Sequence, residues 1–108
     1  MTKSSRAPLS AIRIAIRTSS CIRFEFEGED WMVEPHEMSQ NRRAALVLMA
    51  WVREGPVAGH WVVFRYAHLR GFEALGATFA RREIPSLLMD WRGPQKEPGL
   101  VRAAGLAR

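Results

Sequence analysis

The stretch WMVEPHEMSQNRRAALVLMAWVREGPVAGHWVVFRYAHLRGF, residues 31–72, decides how the chain is read. Apolar-rich segments alternate in it with turn signals. Trp31 and Val33 alternate with Met32 and Glu34, as in a strand with one buried face. Ala44 to Val52 is apolar throughout and is followed by Arg53-Glu54-Gly55-Pro56. Its periodicity fits a buried strand or a helix from Ser39 to Glu54, which Gly55-Pro56 would stop. Strand-like neighbours on both sides and the segment's length favour a strand. Gly55 to His60 then makes a hairpin loop. Trp61 to Tyr66 is aromatic and β-branched, the composition of a strand. Leu69 to Leu75 resumes the sheet after a kink at Arg70-Gly71.

Working outward, Ile22, Phe24 and Phe26 alternate with Arg23, Glu25 and Glu27, which gives an apolar and a charged face. Gly28-Glu29-Asp30 turns this strand into the one at Trp31. Pro35 ends regular pairing or puts this part on a sheet edge. Leu9, Ile12 and Ile16 share a helical face beside Arg13 and Arg17, although Ile12, Ile14 and Ile16 also alternate. Pro8 suits a first-turn position and Thr18-Ser19-Ser20 an exit, so the segment reads as a short helix. Residues 81–91 hold a helical turn or more after Pro85. From Gly93 onward Pro94, Pro98, Gly99 and Gly105 point to partial disorder. The expected fold is mainly β: a short N-terminal helix followed by about five strands, curled into a small, partly open barrel. Residues 1–8 form a flexible start, 9–80 the domain and 81–108 an extension.

The 108 residues make one domain, with a formal charge of +5 that is unevenly spread. Residues 1–24 hold Lys3, Arg6, Arg13, Arg17 and Arg23 with no acid. Residues 25–41 hold Glu25, Glu27, Glu29, Asp30, Glu34 and Glu37 with no Lys or Arg. A basic surface of this kind attracts phosphate-bearing partners and anions. Cys21 is the only cysteine, which excludes an internal disulfide and suits a reducing cytoplasm. No run reaches the length of a membrane span, so no membrane partner is expected. There is no Gly-rich phosphate loop and no paired-carboxylate motif. Nothing ties a histidine to Cys21, and the spacing of His36, His60 and His68 matches no simple metal motif. The chain therefore reads as non-enzymatic, with no cofactor.

Arg65 stands between Phe64 and Tyr66 in an otherwise apolar strand and points opposite to them. A guanidinium fixed there grips a phosphate or carboxylate with two parallel bonds. His36, at a strand end after Pro35, can hydrogen-bond a ligand or a backbone carbonyl. His68 and Arg70, two apart, share a face with Tyr66, and such a set can hold nucleic acid through phosphate contact and stacking. Arg43, from the pair Arg42-Arg43, supports these groups, as Arg81-Arg82 could, although such pairs are more often solvated turns. Trp31, Trp51 and Trp61 suit a core. With Leu46 and Leu48 inward, however, Met49 and Trp51 face outward, and an exposed tryptophan suggests a dimer contact.

These residues, in this order, resemble the WYL-domain family in its small stand-alone bacterial form. The likeness covers roughly Leu9 to Phe79. It rests on the strand Ile22-Arg23-Phe24-Glu25-Phe26, on Val33-Glu34-Pro35-His36, on Leu46-Val47-Leu48-Met49-Ala50-Trp51, and on Trp61 through Leu69 with Phe64-Arg65-Tyr66. The resemblance implies an Sm-like, SH3-type barrel that senses a ligand, often nucleic acid, in transcription regulation. The chain departs from the family at Leu46-Val47-Leu48, where the naming tripeptide falls, and at Tyr66-Ala67-His68-Leu69, where the family has an acid and a second arginine. The leading expectation is a cytoplasmic, homo-oligomeric module that binds an anionic ligand such as single-stranded nucleic acid through Arg65, His36, His68, Arg70 and Arg43. The alternatives are a small helical DNA-binding protein, with helices at Ser39–Glu54 and Ala67–Glu83, and a protein–protein interaction module.

Overall fold

In a computed structural model, which describes residues 5–40, 43–85 and Leu88, one helix precedes a five-stranded antiparallel sheet. Helix α1 spans Leu9–Thr18, and the strands are β1 (Ser20–Phe26), β2 (Glu29–Gln40), β3 (Leu46–Glu54), β4 (Trp61–Arg65) and β5 (Arg70–Thr78). The sheet order is β4-β3-β2-β1-β5. Among the described residues the mainly β reading holds, with a short N-terminal helix followed by five strands. Ala44–Val52 lies in a strand and not in the alternative helix, and the expected helix over Ala67–Glu83 is replaced by β5. The expected turn at residues 81–91 lies largely outside the described residues.

Local sequence explains the junctions. Pro8 sits just before α1 rather than in its first turn, and Arg17 lies in the last turn, where a cation suits the helix dipole. Ser19 takes a left-handed conformation (φ 53°), which ends the helix and directs the chain into β1. The β1–β2 turn is two residues, Glu27 and Gly28, both at positive φ (54° and 77°), between the paired Phe26 and Glu29. Such a turn matches the twist of the flanking strands. It lies one residue earlier than expected, so Glu29 and Asp30 belong to β2. Pro35 is not on an edge. It lies in the middle strand at a register shift between Pro35 and Glu37, beyond the last β1–β2 pair, where no partner on that side needs its missing N–H.

Cross-strand register sorts the side chains onto two faces. Ile22, Val33 and Val52 stand opposite one another, as do Phe24 and Trp31, Leu48 and Phe64, and Ala50 and Val62; all are buried. Phe64 on β4 meets Phe24 and Phe26 on β1 at 4.9 and 5.1 Å between ring centroids, and Trp31 at 5.1 Å, all edge to face. Strands β1 and β4 are separated by two others in the sheet, so these contacts require it to curl strongly around an aromatic interior.

The sheet curls but stays open, because β4 and β5 remain its two edges. Tyr66, expected to extend β4, instead starts a 3-10 turn over Tyr66–His68 that leaves the ladder. The chain start fills the gap. Ala7 N–H donates to the Leu69 carbonyl, Gly71 N–H donates to the Ser5 carbonyl, and Tyr66 Oη donates to the Ala7 carbonyl. Ala7 is buried, and Arg81 and Arg82 pack on the sheet, so contacts run past both ends of residues 9–80.

Phe64 touches three aromatic rings on two other strands. Phe64→Ala should therefore cost about 3–5 kcal/mol, read as a lower urea midpoint. Ile14, which is 51% exposed, should tolerate alanine within about 0.5 kcal/mol.

Candidate functional site

Glu34, Trp51 and Trp61 form one row across β2, β3 and β4, on the face opposite the aromatic interior. Glu34 is 1% exposed. An unpaired buried carboxylate would be strongly unfavourable, and two guanidinium groups offset that cost. Arg53 Nε donates to Glu34 Oε2 at 2.8 Å. Arg82 Nε donates to Oε1 at 2.8 Å, and its Nη2 to Oε2 at 3.4 Å. The Arg82 guanidinium also lies 4.1 Å from the Trp51 ring centre. Burial alone would raise the Glu34 pKa, but the hydrogen bonds from Arg82 and Arg53 outweigh it and hold the carboxyl below its ordinary range.

Arg82 belongs to a strap of chain beyond β5 that crosses this face. Phe79 N–H donates to the Ser19 carbonyl at 3.0 Å. Arg81 Nη1 donates to the Ile16 carbonyl and Nη2 to the His36 carbonyl. His36 is enclosed between Trp61 and Phe79, 4.9 Å from each ring. The Arg82 backbone N–H points at His36 Nε2 at 3.0 Å. That nitrogen must accept, so the ring proton sits on Nδ1 and is donated to the Glu34 carbonyl at 2.9 Å. Burial holds the imidazole pKa below its usual value; the bond to Glu34 opposes this, and Arg81 and Arg82 reinforce it. Cys21 is buried beside the network, and burial raises its thiol pKa against a smaller opposing effect of Arg53.

A groove of about 290 Å³ opens between α1 and β2, lined by Arg13, Ile16, Arg17, His36, Glu37 and Met38. Arg13 and Arg17, one turn apart, are exposed. Arg81 spans from the Ile16 carbonyl to the His36 carbonyl at its edge. The sequence held the signal for Arg13 and Arg17, an acid-free basic stretch on one helical face. The pairing of Glu34 with Arg82 carried none, the two being 48 residues apart.

The residues singled out from sequence do not form one site. His36 is buried, with both ring nitrogens engaged by backbone groups, so it is a structural residue here. Arg65 is half-buried at the far end of β4, its Nε beneath the surface. Four strand steps, about 13 Å, separate it from Trp61 beside His36. Arg70 folds its Nη1 onto the carbonyls of Ala67 and Leu69. His68 is exposed and lies roughly parallel to Phe26 at 6.5 Å. Arg43 is exposed in the β2–β3 connection. Trp51 does face away from the interior as expected, but Arg82 covers it. Among the described residues no three His, Cys, Asp or Glu side chains gather as a metal site would need, and no helix is long and apolar enough to cross a membrane. No family model, curated protein or solved structure matches the chain.

Both lowered pKa values act in the same direction. His36, ordinarily near 6.5, and Glu34, ordinarily near 4.5, bind protons more readily in the unfolded chain. Stability is thus complete above pH 6.5, falls as His36 is forced to protonate, and falls again below 4.5. Urea midpoints from pH 8 to 4 should decline in that order, with the first decline reduced in His36→Gln. At pH 7, Glu34→Gln should cost about 2–3 kcal/mol, less than a fully enclosed pair because both guanidinium groups reach water.

Proposed function

We propose that the protein is a non-enzymatic binding module for an anionic ligand, with single-stranded nucleic acid the best-fitting class, and that the basic face of α1 is its main contact. The observation that carries this reading is the groove edge. Two exposed guanidinium groups, Arg13 and Arg17, have no acidic partner among the described residues and stand beside a third, Arg81. Arg81 gives its hydrogen bonds to neutral carbonyls, so its charge is not cancelled. Ile16 and Met38 supply apolar lining for a base or another flat group, and Glu37 is the one acid in the lining. The net charge of +5 favours the same partners over long range. Arg65, His68, Arg70 and Arg43 are auxiliary contacts in this reading, with His68 beside Phe26 offering a surface for stacking. The resemblance to WYL domains supports a regulatory, ligand-sensing role, and the single buried cysteine suits the cytoplasm.

The test is titration of a short labelled single-stranded oligonucleotide across a salt series. Wild-type affinity should fall steeply with salt. Replacing both Arg13 and Arg17 with alanine should lower the slope of log K against log salt by about 1.4, the release from two phosphates. Arg65→Ala should weaken binding less. No binding at low salt dismisses the reading, and a larger loss in Arg65→Ala moves the contact to β4.

A further inference from the structure

We propose that the row Glu34–Trp51–Trp61, together with His36, is a recognition site for an arginine-bearing segment, filled in this structure by the chain's own Phe79–Arg82, and that its exchangeable occupant is the same segment of a second copy. The site reads three side chains, those of Phe79, Arg81 and Arg82, and the Arg82 backbone N–H. Glu34 takes the Arg82 guanidinium through both carboxylate oxygens, and Trp51 covers the flat face of that cation. Phe79, three residues earlier, packs its ring on His36. The acceptor nitrogen of His36 takes the Arg82 N–H, and the His36 carbonyl takes a bond from Arg81. The specificity is therefore an aromatic residue followed two and three positions later by arginines, outside any helix or strand.

Three features make this occupant exchangeable. Residues 79–85 adopt neither helix nor strand, so side chains and single backbone bonds hold them rather than a ladder. The Arg82 side chain is 43% exposed, and an exchanging guanidinium can approach from solvent. The strap follows directly on β5, the edge strand, so its departure breaks no strand pairing, and the buried place of Phe79 is refilled by the Phe79 of the second copy. A second copy carries the same segment at the same place, and exchange of identical elements is a low-cost route to a dimer.

The probe is a fluorescent peptide of residues 77–85, with anisotropy and tryptophan fluorescence as readouts. Arg82→Ala protein, checked for folding by circular dichroism, should bind it saturably. Affinity should fall at least about tenfold when the peptide arginine at position 82 becomes alanine, or when Glu34→Gln is added to the protein, as loss of a charge-assisted hydrogen bond implies. Wild type should bind more weakly than Arg82→Ala because its own strap competes. Mixing Arg82→Ala with Glu34→Gln protein leaves one intact site and one intact strap, and native mass spectrometry should show the heterodimer. Should Arg82→Ala fail to fold, wild type must still bind in an arginine-dependent way. Absent binding, binding indifferent to that arginine or to Glu34, equal affinity for wild type, or peptide binding without a heterodimer overturns the proposal.

Discussion

A carboxylate placed under protein surface has to be met by cations, and that constraint at Glu34 organises the whole outer side of the sheet. Arg53 reaches it from β3, the neighbouring strand, but one guanidinium leaves an oxygen short. The second comes from Arg82, which fixes the path of the chain after β5. Once Arg82 is seated, Trp51 is covered, Phe79 closes over His36, and the imidazole is left with a single tautomer. Arg81, the adjacent residue, then projects toward the end of α1. The basic groove edge thus depends on the same ion pair, although it lies on another part of the surface.

The two faces of the sheet follow different physical rules. The inner face is aromatic and aliphatic, and its edge-to-face rings draw β1 and β4 together across two intervening strands. That face gains from area removed from water, and the Trp31 indole N–H buried there is paired with the Phe26 carbonyl. The outer face holds a carboxylate, an imidazole, guanidinium groups and two indoles, each with a named partner. Polar networks of this kind are costly when one member is missing, so the strap is coupled to protonation and to substitution at single atoms.

The alternation of Ile22, Phe24 and Phe26 was legible because β1 has an enclosed side and a charged side, Arg23 and Glu25. The run from Ala44 to Val52 gave no period, and the reason is now physical. Val47 to Ala50 are buried in unbroken succession, so both faces of β3 are covered, and alternation disappears where a strand has no wet side. Of the two readings of Pro35, the end of regular pairing fits and the sheet edge does not, because a register shift accommodates the proline in a central strand. The end of β4 misled because Tyr66 has the composition of a strand residue but starts a 3-10 turn, where its hydroxyl bonds to Ala7, a contact across 59 residues. His36 carried the right chemistry, a bond to a carbonyl, with its second partner supplied from 46 residues away. The acid-free start of the chain pointed to Arg13 and Arg17 beside one helical face, and the fold adds that both are exposed at the groove between α1 and β2.

The account turns on the strap being seated through His36 and Glu34 in solution. Nitrogen-15 NMR tests this most directly, by measuring the scalar coupling across the hydrogen bond from the Arg82 amide to His36 Nε2, with the ring nitrogen shifts assigning the tautomer. A measurable coupling at pH 7, with the ring proton on Nδ1, is the predicted result. A proton on Nε2, or an Arg82 amide that shows no coupling and exchanges as freely as an unstructured chain, would contradict it.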